Sequence, residues 1–256
     1  MTPIGPGADG RLAVAVVLLV ALAAAAARLG GLPLASRSVR ASARAAVQLG
    51  VVAVVITAAL EHTWSALAFV AVMAAVATGT SAGRLGARTR WPWILLALSA
   101  GQAPVLAAIF ATGSTPLSPP AIVAICGIVI GGTMTACTLA TRRALADLQA
   151  GRGQVEAALA LGLSRAAAIR LVVDPAAPEA LVPVLDQTRT VGLVTLPGAF
   201  VGVLLGGGSP VEAAAAQLVV LVGLVAGETL TVVAATRLVA AGRLLPDEVL
   251  SQLPVG

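Results

Sequence analysis

Apolar residues in this chain come in long blocks with almost no polar interruption, and the polar residues gather between the blocks. Seven windows, near 11–28, 45–60, 63–83, 92–112, 119–141, 187–206 and 211–236, are long enough to cross a bilayer as helices, each needing about 20 residues. A helix that is apolar on every side has no face for water. The pattern therefore predicts an all-α, polytopic integral membrane protein: one transmembrane domain over residues 1–256 with about seven transmembrane helices and a polar elbow at 142–186 between spans five and six. Only Glu61 and His62 divide windows two and three, a tight turn at the membrane surface.

Charge sets the expected orientation. All the arginines except Arg11 and Arg189 fall in alternate connections: after spans one, three, five and seven. The other connections hold Glu61-His62, an uncharged run from Gly113 to Pro120, and Gly206 to Pro210. The positive-inside rule then puts the N-terminus outside and the C-terminus in the cytoplasm, which requires an odd number of spans.

Composition agrees with this class: 59% hydrophobic residues and 11% charged residues leave too little charged surface for a soluble domain of 256 residues. The formal charge of +5 comes with 2% aromatics, and the arginines are spread over short loops, so nucleic acid is not an expected partner. Cys126 and Cys137, roughly 16 Å apart along one helix, cannot bridge and are expected to be packing residues. Met1 to Gly10 lacks a basic leader, so the first apolar run is expected to stay as a span. Small residues at four-residue spacing (Gly127/Gly131, Gly198/Gly202, Gly202/Gly206, Gly223/Gly227) predict close helix packing or a dimer. No internal repeat of the kind seen in many secondary transporters is visible.

Two stretches hold the candidate chemistry. In the elbow, Gln154 to Leu161 predicts a short amphipathic helix, Gly162 its end, and Ser164 the cap of a second helix from Arg165. It could lie on lipid or dock a partner; its shortness, its lack of aromatic anchors and Glu156 in its first turn favour docking. Further on, the chain re-enters apolar sequence carrying Asp186, Arg189, Gly192, Thr195, Pro197 and Gly198. Asp186 and Arg189 share a helical face and can pair, as a gate or as a static anchor. Pro197 with Gly198 predicts a kink inside span six, either a hinge or a fixed bend.

The run Glu156-Ala157-Ala158, then Gly162, Val172 and Pro175, resembles the EAA loop of ABC import permeases, with Val172 where that pattern usually has Ile and Asp174 where it usually has Leu. More of the chain resembles the FetB family of ABC permeases. The resemblance rests on Arg44 to Leu49, Gly131-Gly132-Thr133-Met134-Thr135, Leu159 to Arg165, Asp186 to Gly198, Phe200 to Pro210 and Gln217. It implies a permease subunit in the bacterial cytoplasmic (plasma) membrane, built as a homodimer on two copies of a FetA-type ATPase. ATP and Mg would bind that partner, with no cofactor in this chain, and the cargo would be an exported metal ion, iron-like, or a small solute. It also implies that Glu156, Ala157, Ala158, Leu161, Gly162, Ser164 and Arg165 contact the ATPase as a coupling helix. Asp186, Arg189, Gly192, Thr195, Pro197, Gly198, Thr133 and Met134 would belong to the pathway or gate. Two departures stand out: Gly132 where family members often have Asn, and Ala199-Phe200 where the iron-linked members carry a Met pair.

Glu228 lies deep in span seven, where an acid must face a polar cavity, carry a proton or hold a hydrogen bond. Gln48, Gln102, Thr133 and Thr135 are weaker candidates for the same lining. No metal site is assignable, and neither a catalytic constellation nor a Walker A sequence is present, so this chain is not expected to be an enzyme. The competing function is a stand-alone secondary carrier or cation channel using Glu228 and Asp186.

Overall fold

The computed structural model describes residues 8–245, so most of the leader reading at the N-terminus lies outside it. Its α-helices are α1 (Ala8–Leu29), α2 (Ala35–Glu61), α3 (Thr63–Arg84), α4 (Trp91–Ala111), α5 (Pro119–Ala150), α6 (Arg152–Ala160), α7 (Arg165–Val173), α8 (Val182–Thr190), α9 (Gly198–Leu205) and α10 (Pro210–Ala240). Short 3-10 turns occupy Arg88–Arg90 and Asp174–Leu181. The chain divides into two compact units, Met1–Ala59 and Leu60–Gly256.

The first unit holds α1 and nearly all of α2. Helix α2 starts well before the predicted window because Arg37, Arg40 and Arg44 recur at three- and four-residue spacing, a polar stripe on a helix rather than a loop. In the second unit α10 packs along α5 and α4, and α5 packs along α3. Helix α10 opens with a capping box: the Ser209 hydroxyl accepts from the Glu212 N–H at 3.3 Å, and the Glu212 carboxylate accepts from the Ser209 N–H at 2.7 Å.

Glycines set the closest approach. A Cβ on Gly101 of α4 would overlap the Gly227 carbonyl and the Thr231 hydroxyl of α10, so only glycine lets these two backbones touch. Gly223, one turn earlier, lies against Val105 and Ile109 of α4, so the Gly223/Gly227 pair does serve a helix crossing. A Cβ on Gly131, Gly198 or Gly202 would meet nothing within 4 Å among the described residues.

Six helices among the described residues are long and apolar enough to cross a membrane. The window at 187–206 is not a continuous span. Helix α8 ends at Thr190, residues 191–197 are not helical, and α9 has only eight residues. Gly192 sits at φ 82° and donates to the Thr195 carbonyl at 2.9 Å, while Val191 and Thr195 form an isolated parallel bridge. Pro197 lies at φ −68°, ψ 160° as the N-cap of α9, so the predicted kink inside a helix is corrected to a start. Hydropathy hid the break: it registers how apolar Val, Leu and Thr are, not that a left-handed glycine and a proline interrupt the hydrogen-bond ladder.

Candidate functional site

Polar side chains meet midway along α4, α5 and α10. The Gln102 carboxamide donates to the Thr133 hydroxyl at 2.9 Å, and Thr133 in turn donates to the Val129 carbonyl at 2.8 Å. Glu228 is 8% exposed, and its Oε1 would lie 2.6 Å from a Cβ at Gly132. The missing side chain of Gly132 is the space into which the carboxylate fits. Among the described residues no cation or hydrogen-bond donor meets that carboxylate, and Thr231, one turn on, has a buried hydroxyl without a partner. A carboxylate so placed can hold a proton or a cation, or be neutralised by something that passes it.

Toward the N-terminal ends of α5 and α10 a cavity of about 870 Å³ opens between the loop at 114–116, α5, α9 and α10. Ile125, Ile128, Val220 and Leu224 give it apolar walls, and Gln187 and Gln217 supply carboxamides. Leu224 forms its inner end, and the Leu224 Cδ2 is also 2.6 Å from the Cβ position of Gly132. The cavity thus stops one helical turn short of Glu228.

The elbow lies at the opposite end of the bundle. Leu161 closes α6, Gly162 turns the chain at φ 87°, and the Ser164 hydroxyl caps α7 by accepting from the Ala167 N–H at 3.4 Å. Val155, Ala158, Ile169 and Val173 are buried with Leu98, Leu148 and Val239 of the long helices. Val172 packs so closely on Gly151, at the α5–α6 junction, that a Cβ there would lie 2.9 Å from it. Leu161 at the tip is 81% exposed, and Glu156 pairs with Arg152 at 3.1 Å. Asp174 pairs with Arg170 at 2.9 Å, and Arg143 reaches Glu179 at 3.2 Å.

The profile of the uncharacterised protein family UPF0014 matches residues 11–242. The chain belongs to that family. Rice (Oryza sativa subsp. japonica) has the relative "UPF0014 membrane protein STAR2", 33% identical over 88% of this chain and 80% of that protein. "Protein ALUMINUM SENSITIVE 3" of Arabidopsis thaliana is 32% identical over 68% of this chain and 64% of its own length. "Probable iron export permease protein FetB" of Escherichia coli (strain K12) is 30% identical over 49% of this chain and 48% of its own length. The resemblance to the FetB family is thereby borne out. No solved structure matches.

Within this UPF0014 protein the candidate pathway residues do not form one site. Thr133 and Glu228 belong to the mid-bundle cluster, whereas Met134 turns the other way and packs with Ile130 and Met73 against α3. Asp186 and Arg189 pair on α8 at 3.6 Å with both side chains exposed. Gly192 and Thr195 shape the break, and Pro197 and Gly198 line the cavity. Gln48 lies on α2, in the other unit, and the Thr135 hydroxyl donates back to the Gly131 carbonyl at 3.0 Å. Sequence reasoning did not single out Gly101 or Thr231 as partners, because nothing along the chain says which faces of α4 and α10 meet. Among the described residues no group of three His, Cys, Asp or Glu could hold a metal ion.

Proposed function

We propose that this protein is the membrane-spanning permease subunit of an ATP-driven ABC transporter, moving a metal ion or small solute across the bacterial cytoplasmic membrane by alternating access. Two copies would sit on two FetA-type ATPase subunits, which bind ATP and Mg. The observation that carries this reading is the elbow. Helices α6 and α7 present an exposed tip at Leu161 while their inner faces are buried in the same apolar cluster as α4, α5 and α10. A close-packed cluster passes displacement on rather than absorbing it. A push on the tip therefore reaches the helices that hold the Gln102–Thr133 bond and Glu228.

Co-reconstitution with a FetA-type ATPase tests this reading. The permease should stimulate ATP hydrolysis, and Leu161→Asp should abolish the stimulation while the variant still inserts. Stimulation by Leu161→Asp equal to that of the parent protein would overturn the role of the elbow. The partnerless carboxylate of Glu228 favours a second reading, a stand-alone carrier or cation channel, which requires full transport in vesicles that hold no ATPase.

A further inference from the structure

The cavity beside α9 has features that the transport reading leaves unused. Among the described residues, none of its lining side chains is charged, and none is a histidine, cysteine or methionine. A bare metal ion needs several oxygen, nitrogen or sulfur ligands to replace its water, and these walls offer few. Their volume and apolar character match a small-molecule pocket, which pairs apolar walls with a few placed polar groups. Gln217 supplies such a group. It is 4% exposed, it lines the cavity, and its carboxamide oxygen has no partner among the described residues. A buried carboxamide oxygen without a partner is rare in a folded protein. Turned about its last bond, the carboxamide can offer either a donor or an acceptor.

The α9 side of the cavity is left open by glycine. Gly198 and Gly202 share a face of α9, and a Cβ on either would meet nothing within 4 Å. Both line the cavity, so their spacing leaves room there instead of packing a neighbouring helix. Glu228, the nearest buried acid, lies one turn beyond Leu224 and is not part of the lining.

We infer that this cavity binds an uncharged, mostly apolar solute with a single hydrogen-bonding head, held at Gln217. The head is a hydroxyl, carbonyl or amide, and the body lies along Ile125, Ile128 and Val220. As the identity of the cargo, this rests on the transport reading; as a binding site, it does not.

The test uses the full chain in phosphatidylcholine nanodiscs, without ATP or ATPase. Three diazirine probes share one dodecyl chain and carry a hydroxyl, an ammonium or a carboxylate head. Crosslinked peptides are mapped by mass spectrometry. The hydroxyl probe should label residues 114–128 and 216–224 saturably, at least fivefold above either charged probe. Gln217→Leu, which keeps the volume and removes the partnerless oxygen, should cut labelling at least fivefold, and Gly202→Trp, which sets an indole into the cavity, should cut it as much. If Gln217→Leu fails to insert, Gly202→Trp alone decides. Competition by 1-octanol marks a soluble solute, and competition by dioleoylglycerol marks a bilayer lipid; no competition by either overturns the proposal. So does equal labelling by all three probes, or ammonium labelling that disappears in Glu228→Gln. Intact labelling alongside absent ATP-driven transport would sink the transport reading and leave the site standing.

Discussion

The carboxylate of Glu228 on α10 fills the space a side chain on Gly132 of α5 would need, with Oε1 2.6 Å from the position of its Cβ. Two helices meet there through an acid and a gap. Gly132→Ala should push both Glu228 and Leu224 aside and cost about 1–3 kcal/mol, as overpacked cores do. Thermal unfolding in nanodiscs would show it as a lower midpoint, and an unchanged midpoint would mean that α5 and α10 separate more easily than their packing suggests.

Glu228 makes no ion pair and no hydrogen bond among the described residues, so its neutral isostere should not disturb the bundle. Glu228→Gln should hold or raise the unfolding midpoint, because it removes a charge that the bilayer interior disfavours. If the carboxylate serves the pathway, transport in vesicles should fall at least tenfold. Transport at the parental rate would make Glu228 a packing residue.

Two glycines of the long helices should behave oppositely. Gly101→Ala sets a methyl group against the Gly227 carbonyl, a backbone atom that cannot swing away, and should cost about 3 kcal/mol or prevent insertion. Gly131→Ala meets nothing within 4 Å and should stay within about 0.5 kcal/mol of the parent protein. Comparing the two unfolding midpoints separates a real helix crossing from a chance pair.

The elbow depends on a left-handed turn. Gly162→Ala forces an L-residue to φ 87°, at a cost of about 1–2 kcal/mol, and should loosen the α6–α7 corner without disturbing the long helices. Ser164→Ala removes the α7 cap, worth about 1 kcal/mol. Both variants should insert normally and show weakened stimulation of ATP hydrolysis by the proposed ATPase partner, measured as phosphate release. Full stimulation in both would argue that the corner needs no fixed shape.

Local chemistry could be seen along the chain where a single residue decides the outcome. Gly162 ends α6 and Ser164 starts α7 as their residue types dictate, because a positive φ and a missing N-terminal acceptor are local requirements. The long apolar helices were equally plain, because in a bilayer every backbone polar group must bond within its own segment. The Asp186–Arg189 pair followed from helical spacing alone.

Only the tertiary structure decided how the helices face one another. Gly101 meeting Gly227, Glu228 filling the gap at Gly132, and Met134 turning to α3 while Thr133 meets Gln102 each depend on the rotation of one helix against another. In so uniformly apolar a sequence no periodic stripe marks that rotation. The break at 191–197 was equally invisible to hydropathy, which sums side-chain transfer energies and carries no information on whether consecutive N–H groups find the carbonyls four residues back. The cavity at Gln217 exists because that break lets α9 lie beside α5 and α10 with its glycine face open.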